Sequence, residues 1–157
     1  HLKFMLIYSP KYLFLIPGLS LLTIGMIFTI VLATGPITIN GRIFDFHFAL
    51  LGSLFVLLGF QIINTSIFAN IFAHRELEIE NFGSKFYTLF SLEKFIISGL
   101  IILMAGLLLD FLILFQWIGN NFGNLHEPGI VSLASTLIII GFQIIFNAFF
   151  LDFLKDK

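Results

Sequence analysis

The chain alternates between four long apolar blocks and short polar segments. The blocks cover residues 12–33, 48–73, 95–117 and 130–153, and each contains at most one ionisable residue. About 20 helical residues cross the ~30 Å hydrocarbon core of a bilayer. Because lipid cannot hydrogen-bond the backbone, helix is the favoured form for such blocks. The pattern predicts an all-α membrane protein with four transmembrane helices in a single domain, residues 1–157.

Composition supports this prediction and excludes some partners. The mean hydropathy is +1.07 and charged residues make up 11% of the 157, against about 25% in soluble domains. The blocks are apolar all round, unlike the amphipathic helices of soluble bundles. A formal net charge of −1 indicates no nucleic-acid partner. The absence of cysteine removes thiolate metal sites.

Basic residues set the predicted orientation. Seven of the eight Lys and Arg residues lie on one side of the predicted membrane, and only Arg42 lies on the other. The positive-inside rule therefore predicts a multi-pass protein of the cytoplasmic membrane with both termini and the 74–94 loop in the cytoplasm. Segments 1–11 and 74–94 mix basic with aromatic or apolar residues, which favours interfacial helices.

Five of these basic residues are candidates for contact with a lipid phosphate or headgroup. The alternative is ordinary positive-inside anchoring. The candidates are Lys3, Lys11, Arg75, Lys85 and Lys94.

The second and fourth blocks share a pentapeptide. Gly59–Ile63 and Gly141–Ile145 both read GFQII, and two of the three glutamines in the chain lie within these copies. The match predicts two repeated hairpins of the same orientation, related by rotation about the membrane normal. We expect both glutamines to face the inside of the bundle.

Small residues recur seven positions apart in every block. Two helical turns separate such residues, so each pair lies on one face and allows a neighbouring helix to approach closely. The predicted packing positions are Gly18, Gly25, Gly52, Gly59, Gly99, Gly106, Ala134 and Gly141.

A few polar residues lie inside the blocks. They could line a polar path for a substrate headgroup, or form hydrogen bonds between helices. Asp110 is a functional candidate because an acid within the membrane is costly, and it could also lie near the outer interface. The set is Gln61, Asn64, Asp110, Gln143 and Asn147.

The first outer loop carries a turn signal. Asn40-Gly41 stands between alternating β-branched residues, which predicts a short β-hairpin over residues 37–44. Asp45 and His47 follow it, and capping of the next helix explains them better than a metal site. We predict no metal site, no cofactor and no catalytic residue in this chain, since no nucleotide-binding, hydrolase or metalloprotease motif occurs in it.

Several segments resemble the C-terminal membrane region of family 2 glycosyltransferases that use polyprenyl phosphates and are similar to dolichol-phosphate mannose synthase. The resemblance covers nearly the whole chain, and its motifs are structural rather than catalytic. The segments are His1–Gly18, Phe44–His47, Gly59–Gln61 and Phe90–Glu93.

The resemblance implies a function. A cytosolic GT-A catalytic domain would precede His1 and carry the divalent metal, Mg²⁺ or Mn²⁺. This chain would anchor that domain and position a polyprenyl phosphate, which accepts a sugar from a nucleotide donor at the cytoplasmic leaflet. The partners would be membrane lipid, the polyprenyl phosphate and the catalytic domain, with a homo-oligomer possible. The alternatives are a small GtrA-type flippase of lipid-linked sugars, and a purely structural anchor.

Overall fold

Four long helices and one small sheet make up the fold. In the computed structural model, the residues described are 11–77, 91–122 and 128–155. A π-helical turn, Lys11–Leu15, leads into helix α1 (Ile16–Ala33). Strands β1 (Ile37–Ile39) and β2 (Arg42–Phe44) follow. Helices α2 (Phe46–Leu77), α3 (Leu92–Gly119) and α4 (Pro128–Lys155) complete the chain.

The helices have the length and composition of membrane spans. All four are long and apolar enough to cross a bilayer, over Leu13–Ala33, Phe46–Ile71, Leu92–Gly119 and Pro128–Leu154. Large apolar side chains such as Ile27, Ile101 and Phe146 face outward, each at least 59% exposed. Such an apolar exterior is stable in lipid and not in water. The chain is an integral membrane protein.

The bundle interior contains many small and polar residues beside a few large apolar ones, such as Leu32 and Leu103. Among the described residues, the buried side chains include Ala49, Ala134 and Ala148, together with seven Ser, Thr or Asn residues. Lipid tails are as apolar as a leucine core, so helices in a membrane associate through close backbone contact and hydrogen bonds. The interior has the composition that this mode of association requires.

The predicted β-hairpin is present. β1 and β2 pair antiparallel, with Ile37 opposite Phe44 and Ile39 opposite Arg42. Asn40 and Gly41 at the turn have φ values of 51° and 75°, the left-handed values that a tight type I′ turn requires. We call the end of the bundle beside this hairpin the strand end. The opposite end, where Lys11, Leu77, Leu92 and Lys155 lie, is the terminal end.

Equivalent glycines in the two hairpins make equivalent contacts. A Cβ on Gly25 of α1 would lie 2.5 Å from the backbone nitrogen of Val56 in α2. One on Gly106 of α3 would lie 2.8 Å from the nitrogen of Ile138 in α4. The residues of α1 and α3 differ by 81 in number, and those of α2 and α4 by 82.

The reciprocal contacts repeat with the same offsets. A Cβ on Gly59 would lie 2.5 Å from the nitrogen of Leu22, and one on Gly141 would lie 2.7 Å from the nitrogen of Leu103. No side chain fits where two backbones approach this closely. The α1–α2 and α3–α4 pairs are therefore two copies of one hairpin.

The two hairpins do not dock symmetrically. α2 packs against α4, and α4 also packs against α1, where Gly129 approaches the carbonyl oxygen of Leu32. The equivalent pair, α3 with α2, makes a much smaller interface within the described residues. The repeat offset places His47 where α4 has Gly129. The position that has no side chain in α4 therefore has an exposed imidazole in α2.

The helices extend beyond the predicted blocks. α2 continues to Leu77 and α3 begins at Leu92, so both ends of the predicted 74–94 interfacial loop are helical extensions of the spans. The remainder of that loop, and residues 1–10 of the predicted interfacial segment 1–11, lie outside the described residues.

Candidate functional site

Three of the five candidate phosphate-binding residues lie in helical segments at the terminal end. Lys11 begins the π-helical turn, Arg75 lies in the last turn of α2, and Lys94 lies in the first turn of α3. The Lys94 side chain is exposed. Lys3 and Lys85 lie outside the described residues. The backbone therefore brings basic residues from three separate segments to one end of the bundle.

α2 and α4 form a parallel pair between the two hairpins, which we call the α2–α4 seam. Near the strand end, the hydroxyl oxygens of Ser53 and Ser132 are 2.7 Å apart and hydrogen-bonded. Near the terminal end, the rings of Phe68 and Phe150 meet edge to face, with centroids 4.9 Å apart. Both helices run from the strand end to the terminal end, so these two contacts fix their relative depth.

The serine contact continues as a small network. Ser132 Oγ also lies 3.4 Å from the carbonyl oxygen of Ala49, and Thr136 Oγ1 donates to the carbonyl oxygen of Ser132 at 2.7 Å. All three hydroxyl residues, Ser53 included, are buried. Sequence reasoning missed this site. The available signal was the Ser132–Thr136 spacing of four, which places both on one helix face.

Three of the predicted intramembrane polar residues lie in the seam between the serine and phenylalanine contacts. Asn64 follows Ser53 by eleven residues and Gln143 follows Ser132 by eleven, so the two amides lie at one depth on facing sides. Asn147 lies one turn further along α4. Asn64 is buried, and the two α4 amides are half-buried.

These amides carry buried atoms that make no hydrogen bond to the described protein. The atoms are Asn64 Nδ2, Gln143 Oε1 and Asn147 Nδ2. Asn70, one turn nearer the terminal end than Ser66, instead donates to the Ser66 carbonyl at 2.7 Å. Buried polar atoms in folded proteins are usually hydrogen-bonded, so this part of the seam is chemically unusual.

The expectation that both glutamines face the bundle interior is wrong for Gln61. Its side chain is exposed, whereas Gln143 is half-buried with its Oε1 enclosed. Thr65, one turn after Gln61, is also exposed, and its Oγ1 donates to the Gln61 carbonyl oxygen at 2.9 Å. The asymmetric docking of the hairpins gives the two identical pentapeptides different surroundings.

Asp110 lies apart from the seam. It is exposed on α3 and lines a shallow cavity of about 220 Å³ with Ile113, Leu114, Trp117 and Val131. This cavity lies between α3 and the start of α4, toward the strand end. The predicted polar residues therefore do not form one continuous face through the bundle, which is the feature that a flippase-type path would need.

Asp45 acts as a helix cap. Its Oδ1 accepts from the backbone N–H of His47 at 3.2 Å, and its carbonyl oxygen accepts from Phe48 and Ala49. These bonds satisfy free N–H groups at the start of α2. Within residues 11–77, 91–122 and 128–155, no group of three or more His, Cys, Asp or Glu residues is placed to bind a metal.

The fold and its seam define a class of protein: an integral membrane domain built from two copies of a helical hairpin. A family model for the glycosyltransferase family 2 C-terminal transmembrane region matches residues 74–155. The match covers slightly more than half of the chain, and the chain belongs to this family.

A curated relative extends the comparison to almost the whole chain. The low-salt glycan biosynthesis hexosyltransferase Agl6 of Haloferax volcanii is 31% identical over 160 aligned positions. The alignment covers 99% of this chain and 38% of the relative, so the chain spans well under half of that protein's length. No solved structure shows significant similarity to the chain.

Proposed function

We propose that this domain anchors a glycosyltransferase in the membrane and positions its lipid acceptor, a polyprenyl phosphate. The parent enzyme would transfer a sugar from a nucleotide donor at the cytoplasmic leaflet, using a GT-A domain that binds Mg²⁺ or Mn²⁺. Family membership and the similarity to a hexosyltransferase support the enzyme class. The convergence of Lys11, Arg75 and Lys94 at the terminal end is the observation that carries the proposal.

The physical problem is to bring a lipid-anchored phosphate to a water-soluble active site. The isoprenoid tail stays in the bilayer, and the outward apolar faces of the helices offer it a compatible surface. We call Lys11, Arg75 and Lys94 at the terminal end the basic rim. This rim attracts the phosphate to headgroup height. Holding both reactants at one height raises their effective concentration, which accelerates transfer without any catalytic group in this domain.

The proposed function requires one orientation of the domain. The terminal end faces the cytoplasm, where nucleotide sugars are available, and the β-hairpin faces the opposite side. Seven of the eight basic residues then lie on the cytoplasmic side, as the positive-inside rule requires.

Acceptor kinetics test the proposal in the protein that joins this domain to its catalytic domain. Lys3, Lys11, Arg75, Lys85 and Lys94 are each replaced by Ala. A charge-assisted hydrogen bond to phosphate is worth roughly 1.5–3 kcal/mol. Loss of a phosphate contact should therefore raise the acceptor KM about ten-fold or more, with the nucleotide-sugar KM unchanged.

The matched control is Arg42→Ala, which removes a basic residue at the strand end. Arg42 is exposed, and its loss should leave both KM values unchanged. If all five terminal-end variants behave like this control, the domain is a structural anchor and the catalytic domain alone binds the phosphate.

A further inference from the structure

The seam amides present an unusual combination of unpaired atoms at one depth. Asn64 is 8% exposed, and its Nδ2 is a buried donor without a partner. Across the seam, Gln143 contributes an unpaired acceptor and Asn147 a second unpaired donor. A buried amide without a hydrogen-bond partner destabilises the folded protein. Binding of a group that supplies the missing hydrogen bonds would therefore be favoured.

The amides lie inside the hydrocarbon region rather than at its surface. Asn64 is seven residues from Ile71, and Asn147 is seven from Leu154, the residues where the apolar spans of α2 and α4 end. At 1.5 Å per residue the site lies about 10 Å below the terminal end of each span. Headgroup phosphates do not reach this depth without leaving the interface.

The seam borders lipid along one side, although the unpaired atoms themselves are enclosed. Gln61, one turn before Asn64, is exposed on the lipid-facing side of α2. On α4, Ile139 and Phe146 flank Gln143 and are 42% and 67% exposed. Gln143 itself is half-buried, at the edge between the seam and the lipid. A ligand from the bilayer would therefore reach the amides by displacing a side chain at this edge.

The unpaired amide atoms would be satisfied by a neutral ligand group that both accepts and donates a hydrogen bond. Amide nitrogen and oxygen can exchange places by rotation, but each amide always offers one donor side and one acceptor side. α2 contains no Lys, Arg, Asp or Glu from Phe46 to Ile71, and α4 contains none from Pro128 to Leu151. With no cation to compensate it, an anion here would remain costly. A hydroxyl group meets both requirements.

We propose that Asn64, Gln143 and Asn147 form an intramembrane binding site for the hydroxyl group of a neutral long-chain alcohol. The hydroxyl accepts from an asparagine N–H and donates to the Gln143 oxygen, and its alkyl or isoprenoid chain lies along the exposed face of α4. This site is distinct from the acceptor-phosphate contacts proposed at the terminal end, both in depth and in the charge of its ligand.

Photolabelling tests the proposal in the full chain reconstituted in phosphatidylcholine vesicles. The probe is hexadecanol carrying a diazirine near its hydroxyl, and the labelled residues are mapped by mass spectrometry. One hydrogen bond within a bilayer corresponds to about a five-fold change in binding. We expect labelling of α2 and α4 beside the amides, reduced about five-fold in Asn64→Leu and in Gln143→Leu.

Two matched probes and one matched variant serve as controls. The methyl ether of the same probe cannot donate, and the phosphate ester is an anion, so both should label the site about five-fold less. Gln116→Leu removes an exposed amide from α3, away from the seam, and should label like the parent protein.

Stability measurements distinguish a ligand-binding role of the amides from a role in holding the hairpins together. If the Leu variants unfold more easily but label normally per folded molecule, the amides hold the hairpins together and the proposal is overturned. Equal labelling by the alcohol and its ether would overturn it too. If one Leu variant does not fold, the other variant and the probe comparison still decide.

Discussion

Ser53 and Ser132 lie 79 positions apart in the chain, and their hydroxyl oxygens are 2.7 Å apart in the bundle. Neither is the repeat equivalent of the other, because the offset between α2 and α4 is 82 residues. The bond therefore belongs to the docking of the two hairpins rather than to the hairpin fold itself. It joins the copies at a place where both serines are buried.

The Ser53–Ser132 bond predicts a measurable coupling between the hairpins. Hydrogen bonds between membrane helices contribute about 0.6 kcal/mol on average and up to ~1.7 kcal/mol. Ser53→Ala, Ser132→Ala and the double variant should show a coupling energy in that range when unfolding is measured in lipid. Ser98→Ala is the control, because Ser98 is exposed and bonds within its own helix, to Phe95 O at 2.9 Å. Additive effects of the two seam substitutions would contradict the prediction.

The glycine contacts predict a loss of stability on substitution by Ala that is larger where the facing backbone is closer. A Cβ at Gly25 would lie 2.5 Å from a backbone nitrogen, and at Gly106 2.8 Å from the equivalent nitrogen. Backbone atoms cannot move aside as a flexible side chain does, so the helices must separate. Overpacking of this kind costs about 1–3 kcal/mol. We expect Gly25→Ala to reduce the free energy of unfolding more than Gly106→Ala does.

Gly119→Ala is the matched control for that series. Nothing lies within 4 Å of a Cβ at Gly119, at the last residue of α3. Thermal unfolding should be unchanged within the error of the measurement. A loss at Gly119 equal to that at Gly25 would show that contact between helices does not set the effect, since Ala has a higher helix propensity than Gly.

Sequence periodicity predicted the spans and the repeat because both depend on local patterns. Apolar length marks a span, and the offset of the GFQII copies gives the register in which Gly59 and Gly141 meet their partner helices. The Asn40-Gly41 turn is equally local, since its φ values depend on two residues.

The docking of the hairpins could not be predicted in this way. Gln61 and Gln143 have identical neighbours in sequence and differ in burial, because the hairpins dock asymmetrically: α4 packs against α1, and the equivalent α2–α3 interface is much smaller. The Ser53–Ser132 contact was missed for a related reason. A serine in a membrane helix can bond to its own backbone, so sequence alone does not show which serine reaches another helix.

Cysteine labelling should establish the orientation that the proposed function requires. The chain has no native cysteine, so each introduced thiol reports one position. Thr38→Cys in β1 and Lys94→Cys at the start of α3 are both exposed sites at opposite ends of the bundle. We expect a membrane-impermeant maleimide to label position 38 in intact cells, and position 94 only after permeabilisation. The reverse pattern would place the basic rim outside and contradict the proposed cytoplasmic acceptor site.

Substitution of Asp110 tests whether this exposed acid only destabilises the span or also binds a partner. It lies nine residues before Gly119, the end of α3, which corresponds to about 13 Å along the helix. The surrounding cavity is lined by Ile113, Leu114, Trp117 and Val131, with no basic side chain among them. A carboxylate facing lipid at intermediate depth is destabilising by about 1–3 kcal/mol. Asp110→Leu should therefore raise the free energy of unfolding in lipid vesicles by a similar amount.

Gln116→Leu is the control for Asp110→Leu, since Gln116 is exposed on the same helix and closer to its end. Its effect on stability should be smaller, because a neutral amide near the interface remains hydrated. If Asp110→Leu instead destabilises the protein in lipid while Gln116→Leu does not, Asp110 has a favourable partner in the membrane. Its cavity would then be the place to search for a cationic ligand, and the carboxylate would have to be counted among the binding groups of this domain.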